Sequence, residues 1–422
     1  MTALPSIEEG LISLVIIQIA IGILQFLYYP TVRNHIATQV FPDKSYSVSI
    51  IVPIKGATRT LKGNFRSLCT QKYPDYEVIF VSELEDDTGV AVANEVIAEW
   101  RASAERIESQ SQISIPKRVT YLCAGEHTDL RMIAKSHNLI AAVGKATGEV
   151  LLFTDSDVFH PENWVREMVN PIGEVVRGKD IHATTAVFFI DPEGFLGIFP
   201  SLSTNAMTYL ASFTRRHQDL PAYASGASMA VRSSVFHEAG IIDAWRKCLN
   251  DDLVLAGTLV DKGYNLFSVR RLPTRPVESF TSWRGMNDKM VRWMLTANHY
   301  THPRVHKEAY VNGIFTLQFQ TLLNISIILA ILQGLTIISP LDWTLIATLL
   351  GITYLYNVLA RIVIALNIQE RNVFPYIWLS PLSQYFWGWY FILAALVVDR
   401  FTWGGKTYVL RKRFGRLTSE ND

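Results

Sequence analysis

Four long apolar stretches frame a segment of different texture. Residues 11–29 are almost uncharged, and residues 315–338, 343–364 and 376–398 repeat that character at the far end. Each is about long enough for a helix crossing a hydrocarbon core of roughly 30 Å. Between them, apolar residues come in short runs broken by polar turns. Residues 47–54 read as a buried strand that Gly56 breaks, and residues 61–71 as a helix. Residues 76–81 read as a second strand, running out into Glu83-Leu84-Glu85-Asp86-Asp87. Residues 90–109 are helical in character, 119–122 form a short strand and 132–144 a helix. Residues 149–154 form a further strand that ends in Asp155-Ser156-Asp157, and 253–261 look helical. Strands alternating with helices predict a mostly parallel sheet with right-handed crossovers. The expected organisation is a membrane anchor over 1–40, an α/β, Rossmann-like domain over 41–311, a membrane region over 312–398 and a basic tail over 399–422.

Composition sharpens this division. The 422-residue chain is 49% hydrophobic but only 18% charged, a low share of charge for a soluble protein. Its formal net charge of +1 gives no bulk case for a nucleic-acid partner. Glu8 and Glu9 stand before the first apolar stretch, where a cleaved signal would be basic, and no small-x-small site follows. A retained anchor is therefore expected. Arg33, Lys44 and Lys55 mark its basic side, which by the positive-inside rule puts the α/β domain in the cytoplasm. The protein would then be integral to a bacterial inner membrane, or to Golgi or ER membranes in a eukaryote. Cys69, Cys123 and Cys248 are widely spaced and form neither a zinc pattern nor a disulfide framework, which fits a reducing compartment. Pro381, Ser383 and Gln384 interrupt the last apolar stretch, and Arg400, Lys406, Arg411, Lys412, Arg413 and Arg416 follow it. That pattern predicts an interfacial or re-entrant segment whose tail stays on the cytoplasmic face.

The candidate chemistry starts at Asp155 and Asp157. A buried strand ending in two acids delivers both carboxylates to the carboxyl edge of a parallel sheet, where open α/β sheets bind ligands. Oxygen ligands in a small cluster suit a hard divalent cation, Mg²⁺ or Mn²⁺, and such a cation can hold a diphosphate. The acids near Asp86 reach the same edge from the preceding strand. Their convergence points to a metal-dependent enzyme that uses a nucleotide-activated substrate.

Ordered motifs then add a resemblance. Ile51-Val52-Pro53-Ile54-Lys55, Asn64-Phe65-Arg66-Ser67-Leu68 and Gln71-Lys72-Tyr73-Pro74-Asp75 open the domain. Lys135-Ser136-His137-Asn138, Asp155-Ser156-Asp157, Ser225-Gly226-Ala227-Ser228, Asn250-Asp251-Asp252 and Lys289-Met290-Val291-Arg292-Trp293 follow in order. This series resembles the membrane-bound family-2-type glycosyltransferases of the GT-A fold. The subgroup it most resembles is the ceramide glucosyltransferases and their bacterial relatives, which share the anchor, the Arg-Trp motif and a tail like Trp403-Gly404-Gly405-Lys406-Thr407-Tyr408. Two positions depart from the pattern. Lys289 stands where the family has Gln or Arg, and Asp251-Asp252 where many relatives have Glu-Asp.

The resemblance implies roles residue by residue. Asp86 or Asp87 would meet the base or ribose of a UDP-sugar donor, and Lys135 the base or diphosphate. Asp155 would lie on the ribose side and share the metal with Asp157. Asp252 would be the general base, with Asp251 either its partner or simply solvated. Lys289 and Arg292 would meet the diphosphate, and Trp293 would close on the sugar or acceptor. His217 and His299 carry weaker signals. The implied activity is an inverting, metal-dependent transfer of one sugar, glucose in the subgroup, to a ceramide- or diacylglycerol-like hydroxyl in the bilayer. A processive polysaccharide synthase and a catalytically silent membrane scaffold are the alternatives, and the oligomeric state stays open.

Overall fold

The computed structural model describes residues 6–107, 115–213, 219–305 and 318–410. His217, positions 315–317 of the second apolar stretch and the basic tail from Arg411 onward lie outside the described residues.

Three strands are apolar on both faces, and that decides their place. β1 (Val48–Ile54), β2 (Tyr76–Ser82) and β4 (Val150–Phe153) are buried almost throughout. Such strands belong in a parallel sheet covered by helices. β1 lies between β2 and β4, with Ile51 beside Ile79 on one side and Phe153 on the other. β3 (Arg118–Cys123) continues parallel beyond β2. α2 (Leu61–Leu68), α3 (Thr88–Ile107) and α4 (Ala134–Val143) cross between these strands. Successive strand residues face opposite sides. Ile50 and Val52 therefore pack with Phe65, Phe80 and Trp164 in one core, and Ile51 with Leu139, Phe153 and Trp245 in the other. Trp164 opens α5 (Trp164–Val169).

Beyond β4 the sheet changes sense. β5 (Val175–Val176) and β6 (Lys179–Phe188) are antiparallel, and β7 (Asp191–Glu193) leads into α6 (Gly194–Phe213). β8 (Met229–Arg232) then pairs antiparallel with both β4 and β6, with Met229 beside Phe153. The sheet is thus α/β and mostly parallel in its first half, but mixed overall. Alternation alone predicts parallel neighbours; β8 departs because it enters from the carboxyl edge. That reversal builds the site. A parallel strand brings the residues after it to this edge, and an antiparallel neighbour brings the residues before it. Segment 225–228 therefore meets segment 155–157. α7 (Ser233–Glu238), α8 (Ile241–Trp245) and α9 (Asp251–Asp261) follow, then β9 (Asn265–Thr274), which runs parallel to β6. β10 (Val277–Ser279) pairs with β7, and α10 (Trp283–Tyr300) completes the domain.

Among the described residues two helices are long and apolar enough to cross a membrane: the segment Ile7–Leu24 of α1 (Ile7–Thr38), and α12 (Trp343–Asn367). The apolar part of α11 (Gln318–Gly334) is shorter. A capping box starts α1: Ser6 Oγ accepts from Glu9 N at 3.1 Å, and Glu9 Oε2 from Ser6 N at 2.8 Å. The helix runs well past residue 29, to Thr38. Leu11 and Val15 of α1 share a core with Leu322, Leu329, Ile346 and Leu349. Asp342 caps α12 by accepting from Thr344 and Leu345 N–H, and its own N–H donates to Glu8 Oε1 at 2.8 Å. The α11–α12 turn therefore sits at the start of α1, and the far end of α12 returns to the α/β domain.

At that return Arg361 is fully buried, paired with Glu370 and donating to Leu202 O in α6 at 3.1 Å. Glu370 also accepts from Asn205 of α6. A charge on an apolar helix is tolerated when it is paired inside protein. A 3₁₀ helix (Arg371–Leu379) then leads into α13 (Ser380–Val397). Ser383 Oγ donates to Phe199 O at 2.6 Å, and Trp387 packs on Met286 and Met290. α13 thus lies against α6 and α10, with Phe386 and Trp389 exposed. β11 (Arg400–Trp403) and β12 (Lys406–Val409) form a closing hairpin.

Candidate active site

The Asp155–Asp157 turn is fixed from below. Thr154 N donates to Ile51 O at 3.2 Å, and Thr154 Oγ1 donates to Ala227 O at 2.9 Å. That leaves the hydroxyl to accept from His160 Nε2 at 2.6 Å. Burial pushes the His160 imidazole down to about 3, so it is neutral. It stacks on Trp164 with centroids 3.7 Å apart, and Trp164 Nε1 donates to Ser228 Oγ at 2.8 Å. Asn64 Nδ2 holds Ser156 O at 3.0 Å. The two segments that flank the β4–β8 pair are thus tied to each other and to α5.

Lys135 of α4 is the hub above them. Its Nζ lies 2.7 Å from Asp155 Oδ1 and 2.9 Å from Asp251 Oδ2. Burial works against its charge, but Asp155, Asp251 and Asp252 outweigh burial and hold the ammonium above its ordinary range. Gly226 passes so close that a Cβ there would sit 2.6 Å from Lys135 Nζ. A side chain there would push the ammonium away from its carboxylates. Gly226 N donates to Asp252 Oδ2 at 2.7 Å. Asn250 caps α9 by accepting from Leu253 N at 2.8 Å, and the same N–H reaches Asp252 Oδ1 at 2.8 Å. Both Asp252 oxygens are therefore oriented by backbone donors. Burial and the neighbouring Asp251 push the Asp252 carboxyl up to about 6, against the pull of Lys135. Burial and Asp155 push Asp157 to about 6 as well. Among the described residues Asp157 Oδ1 is buried with no hydrogen-bond partner.

α10 brings the cations. Burial draws the Arg292 guanidinium below its ordinary value, while Asp155, Glu278, Asp251 and Asp157 oppose that shift, so it faces the acidic cluster. Its guanidinium lies 5.0 Å over the Trp403 ring. Lys289 is ion-paired with Glu278 of β10 and lies 5.1 Å over Trp293. Trp293 meets Phe188 edge-on at 6.2 Å. Around this point Asp155, Asp157, Asp251, Asp252 and Glu278 outnumber Lys135, Lys289 and Arg292. An excess of buried carboxylate is disfavoured unless a cation joins it.

The acids after β2 divide differently. Asp86 is exposed on a turn. Asp87 caps α3 and ties it to the end of β1: its Oδ1 accepts from Gly89 N at 2.9 Å and Gly56 N at 2.8 Å. Glu83, the first residue past the strand, is the buried acid there. It accepts from His127 N at 3.1 Å and pairs with Lys406. Burial alone would raise its carboxyl, but Lys406 and the His127 N–H hold it below the ordinary range. Glu83, Glu278 and His160 carry no role in the sequence reading. The signal for Glu83 was its place directly after a buried strand, the same signal that marks Asp155. His299 is exposed near the end of α10, and the partial desolvation of its ring lowers its imidazole.

Comparison with known proteins adds a family to this geometry. Among curated proteins the chain is similar to ceramide glucosyltransferase 1 of Caenorhabditis elegans, with 23% identity over 240 residues. That similarity takes in 56% of this chain and 46% of the relative, so the chain spans about half the length of the relative it matches. Among solved structures it is similar to a mannosyltransferase from Pyrobaculum calidifontis in complex with GDP-Man and Mn²⁺, with 16% identity, a TM-score of 0.49, and 92% of this chain and 99% of that one covered. A second likeness is to GalNAc-T7 with UDP, GalNAc and Mn²⁺, with 13% identity, a TM-score of 0.39, and 61% and 48% covered. Both structural likenesses are distant, and the assignment rests on the family model. Residues 11–414 match the model of glycosyl transferase family 21. With the match running from the first apolar helix through the closing hairpin, the chain belongs to glycosyl transferase family 21.

Proposed function

We propose that this chain is an inverting, metal-dependent GT-A glycosyltransferase of the membrane, which moves one glucose from UDP-glucose to a ceramide- or diacylglycerol-like hydroxyl. The observation that carries the reading is the convergence of Asp155, Asp251 and Asp252 on Lys135 at the carboxyl edge of β4. The curated relative, a ceramide glucosyltransferase, supports glucose and a sphingolipid acceptor. The apolar helices beside the site support a lipid acceptor, because alkyl tails can stay in the bilayer while the headgroup reaches Asp252. Arg33, Lys44 and Lys55 support a cytoplasmic domain.

The residues fit a hard divalent cation. Among the described residues no three His, Cys, Asp or Glu side chains form a cage. Asp155 and Asp157 offer oxygen only, and Asp157 Oδ1 is left without a partner. Mg²⁺ in particular takes one or two carboxylates and leaves its other positions to phosphate and water. Asp155 and Asp157 would hold the ion, which when bound offsets the charge of the donor diphosphate. The protein groups divide the remaining work. Asp252, aimed by Gly226 and Leu253 N–H, takes the acceptor hydroxyl proton as that oxygen bonds to the anomeric carbon. The bond to the diphosphate breaks on the opposite face, and Arg292 meets the leaving charge. Asp86, Asp87 and Lys135 line the donor side, Lys289 joins Arg292 at the diphosphate, and Trp293 closes on the sugar or acceptor.

Incubating the purified full-length protein with a panel of UDP-sugars and a total lipid extract tests the reading. Mass spectrometry should find a lipid carrying one hexose. A water-soluble polymer would assign processive synthesis instead, and failure to bind UDP in Mn²⁺ or Mg²⁺ would leave a silent scaffold.

A further inference from the structure

The closing hairpin is more than a terminus. Its turn is Gly404-Gly405, both in the left-handed region with φ of 59° and 81°, the backbone of a tight two-residue hairpin. Trp403 and Lys406 therefore stand directly opposite each other, as do Phe401 and Tyr408. Opposed residues of an antiparallel pair share a face. That face docks: Phe401 and Tyr408 are buried with Ile133, Leu249, Val291 and Leu295. The other face, with Arg400, Thr402, Thr407 and Val409, is exposed.

The docked face reaches two different walls of the site. Lys406 Nζ pairs with Glu83 and donates to His127 O, joining the end of β2 to the loop before α4. Tyr408 Oη accepts from Ala134 N at 3.3 Å, one residue before Lys135. Trp403 lies under Arg292 on α10. Gly404 packs against Lys55 at the end of β1, where a Cβ would stand 3.7 Å from Lys55 Cε. A buried ion pair is a poor device for stability alone, since an apolar pair of similar size does as well. Placed between strand ends that already carry acids, it serves better to fix an orientation.

We infer that Lys406 and Trp403 are positioning residues of the donor half of the site: the hairpin returns from α13 as a strap that holds Glu83 and Arg292 in register across the sheet edge. The inference rests on the donor reading above for its binding consequence. Its docking consequence stands apart from that reading.

Full-length protein in detergent separates the two. Lys406→Met should speed hydrogen exchange in residues 398–410 and 124–134, and should weaken UDP binding in Mn²⁺ by about tenfold or more, because it leaves Glu83 buried and unpaired. Lys406→Arg should keep both near wild type. Glu83→Gln/Lys406→Met, which removes both charges, should dock better than Lys406→Met alone. Trp403→Ala should weaken UDP while Trp403→Phe retains it, and Arg400→Ala, on the outer face, should change nothing. Unchanged exchange in Lys406→Met would overturn the strap. Exchange that rises while UDP affinity holds, or affinity that falls equally in Lys406→Arg, would overturn its positioning role. A wild-type protein that binds no UDP would instead remove the donor reading, and the exchange data would still judge the strap.

Discussion

Asp157 and Asp252 are both acids held above their ordinary range, for different uses. Asp157 keeps its proton to about pH 6 in the fold but releases it near 3.8 in the unfolded chain. Without a cation its contribution is therefore full below the unfolded value and is lost as pH rises through about 6. Asp157→Asn should raise metal-free thermal stability at pH 7.5, by about 1 kcal/mol for a half-buried group, or roughly 1–2 °C in a chain of this size. Mn²⁺ should stabilise the wild type and not this variant. An unchanged or lower melting temperature in Asp157→Asn would show that the carboxylate is already satisfied. As the proposed general base, Asp252 must be ionised to accept a proton, so turnover should climb as pH rises through about 6. Asp252→Asn should retain UDP affinity and lose about 10²-fold or more in kcat, the scale of a missing general base. Activity within a few-fold of wild type would move that role to Asp251. At this scale the sequence was readable wherever an acid follows a buried run directly, as at Asp155. The same rule applied to β2 marks Glu83 as well; Asp86 lies on the turn that follows and Asp87 just past it. Glu278 could not be read in advance, because its importance comes from a two-strand pairing with β7.

Among the elements, β1, β2 and β4 were legible because burial on both faces leaves a continuous apolar run. β8 and the β11–β12 hairpin were not. The first is four residues long, and the second alternates buried and exposed positions over short strands after a long apolar helix. Their sense of pairing carries no local signal, yet β8 brings Gly226 to Lys135 and the hairpin brings Trp403 to Arg292. The apolar segments were readable by length, and the polar interruptions of the last one, with the basic residues after it, pointed to a segment that does not simply cross. α13 packs along α6 and α10, and the hairpin that follows it docks on the α/β domain. Residues 400–410 should therefore face the same side of the membrane as the site. With the three native cysteines replaced, Thr407→Cys and Glu85→Cys should both be labelled from that one side by an impermeant reagent. Labelling from opposite sides would require α13 to cross.

For the whole molecule, the long apolar helices and the sheet share one architecture. α1 and α12 pack together at one end, and Arg361 with Glu370 locks α12 to α6 at the other. In the proposed function the acids at the β4 edge hold a nucleotide through a divalent cation. Titration calorimetry of UDP into the full-length protein, in Mn²⁺, in EDTA and with Asp157→Ala, tests it most directly. The account predicts saturable binding in Mn²⁺ that is lost in EDTA and lost in Asp157→Ala while the variant stays folded. Equal UDP affinity under all three conditions would contradict it.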